Sequence, residues 1–127
     1  MSKKLNKETV IRSLIQSLKK KGFKNIKANI KGHVSPDKVS YKWAQKSFAP
    51  DLTVEDDKEH TFFYQVHVKI LKSEIQEYFQ QWILFNSLAH TSGGKLTLVV
   101  PKDNLEQIQK LISDKKINAQ VVDADSV

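Results

Sequence analysis

The chain has no cysteine in its 127 residues. That absence excludes a disulfide framework, a thiolate zinc site and a thiol nucleophile, and it favours an intracellular location. No stretch approaches about 18 uninterrupted apolar residues, and the basic start MSKKLNKET leads into no apolar run. The expectation is therefore a cytoplasmic protein with neither signal peptide nor membrane span. The sequence also lacks G-x-S-x-G, H-E-x-x-H and any glycine-rich phosphate loop that opens a helix, so serine, zincin and P-loop mechanisms are without their parts. Repeats, low-complexity tracts and linkers are missing as well. With 39% hydrophobic residues, the length suits a single domain, 1–127, able to bury a core without disulfides or a structural metal.

Acidic residues are scarce in one region. Positions 1–46 carry thirteen Lys or Arg against two acids, Glu8 and Asp37, whereas the rest of the chain carries eight against twelve. The net charge of +7 is thus about +11 in the first third opposed by about −4 elsewhere. Such asymmetry suits a polyanion, because each phosphate met by a lysine or arginine releases a condensed counterion. A lysine-rich solvated surface is the plainer alternative.

The hydrophobic pattern gives the order of elements. Val10, Ile11, Leu14, Ile15 and Leu18 recur at helical spacing from about Asn6 to Lys21, and Lys19, Lys20, Lys21 and Gly22 form a cationic last turn with a C′ glycine. Ile26, Ala28 and Ile30 alternate as a strand, and Gly32 to Ala49 reads as a long surface excursion. Leu52 and Val54, a charged turn, and Thr61 to Ile70 form two further strands. Ser73-Glu74-Ile75-Gln76 fits a capping box before a long buried helix that ends at Ser92-Gly93-Gly94. Leu96 to Val100 reads as a strand covered on both faces, Asp103-Asn104-Leu105-Glu106 opens a third helix, and Ile117 to Val122 is a last short strand. The order α-β-β-β-α-β-α-β predicts an α/β (α+β) fold, a mixed sheet flanked by helices.

Ala49-Pro50-Asp51-Leu52 opens the second strand, and Gln65-Val66-His67 lies in the third. With the order of elements, and with the stretch Gln80 to Gln109, this pattern resembles the PD-(D/E)XK, or restriction-endonuclease-like, nuclease superfamily over about four fifths of the chain. The resemblance implies an αβββαβ core, here with an additional C-terminal α-β. It also implies a site that hydrolyses phosphodiesters with Pro-Asp on strand two and Asp/Glu-x-Lys on strand three.

The departures are chemical. Hard divalent ions need an anionic set of oxygen ligands, and a nearby lysine then steadies charge in the transition state. By the resemblance, Asp51 and Gln65 are the metal ligands for Mg²⁺ or Mn²⁺, and Asp51, Gln65, His67 and Lys69 are the catalytic set. Gln65 brings no negative charge, so metal is held weakly, and His67 stands where the lysine belongs. Strand parity places Phe63, Gln65, His67 and Lys69 on one face, so Lys69, or Lys72 before the helix, is the substitute lysine. Glu8 on the first helix is a candidate second carboxylate. In the plainer reading Asp51 caps a turn after Pro50, and Gln65 and His67 are polar residues on a half-exposed strand face.

Lys19, Lys20, Lys21, Lys42, Trp43 and Lys46 are the candidate nucleic-acid contacts, with Trp43 as the base-stacking residue and Trp82 as core. The leading expectation is a nucleic-acid-binding protein, with DNA as its partner, whose nuclease site is degraded. The alternatives are an active metal-dependent endonuclease with a variant D…QxH site, and a protein-interaction domain. An exposed strand edge would permit a homodimer.

Overall fold

The computed structural model describes residues 6–39 and 47–127. Among these residues the chain is an α/β protein with three α-helices on a five-stranded mixed sheet. In chain order the elements are α1 (Lys7–Lys20), β1 (Lys24–Ala28), β2 (Leu52–Glu55), β3 (Thr61–Val66), α2 (Ile75–Thr91), β4 (Leu96–Val100), α3 (Leu105–Asp114) and β5 (Gln120–Asp123). The strands lie side by side in sequence order. β1, β2 and β3 are antiparallel, β1 reaching β2 through the long excursion and β2 reaching β3 through a short turn, and β4 and β5 join parallel after the helical crossovers α2 and α3.

The sheet separates two cores. On one face the aliphatic stripe of α1, Val10, Ile11, Leu14, Ile15 and Leu18, packs on Ala28, Leu52, Val54, Val66 and Val99. On the other, α2 and α3 bury Trp82, Phe85, Ala89, Ile108 and Ile112 against Phe63, Leu96, Leu98 and Val100. β4 contributes to both faces, which is why it reads as an unbroken apolar run. β3 occupies the middle of the sheet and keeps the alternation, with Tyr64 and Val66 toward α1 and Phe63 toward α2.

Turn chemistry fixes the helix ends. At the end of α1, Gly22 has φ +90, its N–H donates to Lys19 O and that of Phe23 donates to Leu18 O, the paired bonds of a Schellman cap. Gly93 and Gly94 close α2 in the same way on His90 O and Ala89 O. A Cβ at Gly94 would lie 1.8 Å from Thr61 O, so only glycine lets this turn pack on the start of β3.

Several boundaries differ from the sequence expectation. Ile30 lies beyond β1, in a bend. β3 stops at Val66, so Val68, Lys69 and Ile70 are not strand residues, although His67 N–H still donates to Val99 O at 2.8 Å. β5 begins at Gln120, because Ile117 is spent on the α3 cap, its N–H donating to Ile112 O. The Ser73 capping box does not form. A 3-10 turn over Lys72–Glu74 places Ser73 inside the turn, and no side chain caps α2. The same holds at α3, where Asn104 donates its amide to Gln107 Oε1. The long excursion is pinned where Val39 and Phe48 exchange two backbone hydrogen bonds of 2.7 Å. Lys42, Trp43 and Lys46 lie outside the described residues.

No helix among the described residues is long and apolar enough to cross a membrane.

Candidate functional site

Among the described residues, four polar or charged ones are buried: Asp51, Gln65, His67 and Thr97. The first three gather where β2 begins and β3 ends, because the antiparallel hairpin register pairs Leu52 with Tyr64 and so sets Asp51 beside Gln65. The pleat then sends Gln65 and His67 to the same side, toward α2.

Asp51 is 3% exposed. Its Oδ2 accepts from Val66 N–H at 2.8 Å, and its Oδ1 faces Lys7 Nζ at 2.9 Å. Burial pushes the Asp51 carboxyl above the usual range, while the Lys7 ammonium and the Val66 amide pull it down. Gln65 uses its Oε1 to accept from Asp51 N–H at 3.3 Å and donates Nε2 to Gln81 Oε1 at 3.3 Å. His67 accepts at Nε2 from the indole N–H of Trp82 at 3.1 Å, and its ring packs on Tyr78 with centroids 4.6 Å apart. Burial first, and the Lys7 charge second, push the His67 pKa down to about 4, so the imidazole is neutral with its proton on Nδ1. Tyr78 donates its hydroxyl to Glu74, and burial together with that carboxylate raises its pKa to about 12.

These contacts decide whether a divalent ion fits. Both Asp51 oxygens are engaged, one by an ammonium. The Gln65 oxygen is turned to a backbone amide, and the His67 nitrogen facing the core already accepts a proton donor. Among the described residues no group of three His, Asp or Glu side chains is placed to hold a metal. A hard cation would need to displace Lys7 and would find one carboxylate where it requires an anionic set. The donor set does not fit Mg²⁺ or Mn²⁺.

The remaining candidates separate. Lys69 is exposed past the end of β3 but lines the same cleft as Lys7, Gln65 and His67. Lys72 lies in the exposed 3-10 turn before α2. Glu8 pairs with Arg12 at 2.8 Å on the outer surface of α1. It shares the neighbouring cleft of about 430 Å³ with Asp51, without a contact between the two carboxylates among the ion pairs and hydrogen bonds here. Lys19, Lys20 and Lys21 are exposed at the end of α1, about 18 Å along the helix axis from Lys7 at 1.5 Å per residue.

Lys7 and Gln81 are the residues that the sequence reading missed. A signal for Lys7 exists: it precedes Val10 by three positions and Ile11 by four, so it continues the apolar stripe and must point toward the sheet. Glu8, one position on, precedes Arg12 by four and forms an ordinary surface pair. For His67 the signal is Trp82, whose buried indole N–H requires an acceptor nearby. With this geometry in place, comparison with known proteins adds no relative: the chain matches no protein family, no curated protein and no solved structure.

Proposed function

We propose that this chain is a nucleic-acid-binding protein, with DNA as its first partner, on a restriction-endonuclease-like core whose metal position has been taken over by a lysine. The first six α-helices and strands run αβββαβ, the Pro50-Asp51 pair stands immediately before β2, and Gln65 in β3 and His67 just past its end share a face. These features support the family reading. The observation that carries the functional part is the 2.9 Å contact between Lys7 Nζ and Asp51 Oδ1. An internal ammonium neutralises the one acid that the motif retains, so the site holds its charge balance without a divalent ion and lacks the means to activate water for strand scission.

Binding then rests on the lysines of the first third. Fluorescence anisotropy with a DNA duplex tests this directly. Affinity should fall steeply with salt, with a slope of about 0.9 for each phosphate contacted. Incubation with supercoiled DNA in Mg²⁺ or Mn²⁺ should give no more cleavage than an Asp51→Ala variant. Binding indifferent to salt would defeat the reading, and cleavage lost on Asp51→Ala would make the chain an enzyme.

A further inference from the structure

We propose that the cleft beside the end of β3 is a metal-independent binding site for a single phosphate group of a nucleic-acid strand, charged by Lys7 and Lys69. The inference rests on the nucleic-acid reading above and assigns it a specific place. The cleft has a volume of about 320 Å³ and is lined by Lys7, Gln65, His67, Lys69, Tyr78 and Gln81, with Val66 and Val68. Two ammonium groups thus face it, and no carboxylate lines it among the described residues.

The hydrogen-bond roles of the lining point the same way. Each side-chain acceptor already has a partner within the protein: Asp51 has Lys7 and Val66, Gln65 Oε1 the Asp51 amide, Gln81 Oε1 the Gln65 amide, and His67 Nε2 the Trp82 indole. Several donors, by contrast, have none among the described residues. An ammonium has three N–H groups, and Lys7 commits one to Asp51 while its side chain stays 48% exposed. Gln81 keeps both N–H groups of its amide, and neutral His67 keeps Nδ1–H. Tyr78 has spent its hydroxyl on Glu74 and packs its ring on His67 and Trp82. A donor-rich, doubly cationic cleft of nucleotide size selects a phosphate and repels a metal ion. Asp51 is a positioning residue here: buried beneath Lys7, it fixes where the ammonium sits.

The test is a titration of ¹⁵N-labelled protein in EDTA with a 5′-phosphorylated thymidine dinucleotide. Trp82 is fully buried yet bonded to His67, so its indole resonance reports on the cleft. The expected result is a saturable shift of the Trp82 indole and His67 amide signals. Inorganic phosphate should shift the same signals at higher concentration, and the unphosphorylated dinucleoside should leave them unmoved. Lys69→Ala, at an exposed position outside the sheet, should weaken the response about tenfold, as loss of one charge-assisted contact does. Gln81→Ala gives a second, uncharged check and should weaken it less. A shift confined to Lys19–Lys21, or one that appears only with Mg²⁺, overturns the proposal. Duplex binding that persists while the cleft stays silent removes this site alone, whereas loss of salt-dependent duplex binding removes the function on which it rests.

Discussion

At its first turn α1 holds Lys7 against a carboxylate that is 3% exposed, whereas at its other end it presents Lys19, Lys20 and Lys21 to solvent. The residue type is the same and the consequence differs. Lys7 is tied at 2.9 Å to a buried acid that is itself tied to the β3 backbone, so its position is fixed and its charge is half spent inside the protein. The three lysines at the far end face no buried partner among the described residues and complement the carbonyl end of the helix dipole. Their contribution is a field, diffuse and screened by salt. A count of basic residues weighs all four equally, but the fold makes one an element of a site and three a surface.

That contrast can be broken at several points, the buried side giving the larger effects. Trp82→Ala removes a fully buried indole together with the donor to His67, and should cost about 3–5 kcal/mol in urea unfolding. Trp82→Phe keeps most of the packing and should cost roughly 1–3 kcal/mol, because the His67 Nε2 acceptor is left unpaired.

Acid comes next. His67 has a folded pKa of about 4 against 6.5 when unfolded, so its contribution is fully present above pH 6.5 and is lost as pH falls toward 4. The loss should approach 3 kcal/mol, on the order set by 1.36 kcal/mol per unit, and a His67→Gln variant should lack that loss. Asp51 acts with the opposite sign. Its raised pKa favours the fold below 3.8, and that contribution is lost as pH rises through the folded value, so it offsets the histidine at the acid end.

Asp51→Ala should cost roughly 1–3 kcal/mol by orphaning the Val66 N–H, and it should also free Lys7 for bulk solvent. The smallest effect on stability belongs to the exposed end. Replacing Lys19, Lys20 and Lys21 by serine should leave unfolding within about 0.5 kcal/mol of wild type. The same variant should flatten the salt dependence of DNA binding by up to about 0.9 for each phosphate lost.

The sequence carried the architecture well because the architecture depends on periodicity. The stripe of α1, the alternation around Tyr64 and the double-faced run of β4 are each set by burial, which a pattern of apolar residues records. Helix starts were less legible. Ser73 has the spacing of a cap, but Leu71 and the 3-10 turn over Lys72–Glu74 take the backbone elsewhere, and short-range spacing does not encode that choice.

Of the buried cluster, Asp51, Gln65 and His67 were legible in the sequence, but Lys7, Gln81 and the bonding among them were not. Asp51, Gln65 and His67 do converge, as the hairpin register requires. What the strand pattern left open was the partner of each: Lys7 is 44 positions from Asp51, and Trp82 lies 15 positions past His67. Such pairings follow from how helices dock on the sheet, so they appear only once the packing is known. Gln65 and His67 thus prove to be buried, bonded residues, where the plain alternation of the strand gave polar residues on a half-exposed face.

The decisive measurement follows the Val66 amide, whose N–H points at Asp51 Oδ2, as Mn²⁺ is titrated into ¹⁵N-labelled protein. With Lys7 neutralising Asp51, the Val66 signal should broaden no sooner than that of a remote core amide such as Ile108. Selective loss of the Val66 signal at stoichiometric Mn²⁺ would mean that the metal displaces Lys7 and that the site still holds a divalent ion.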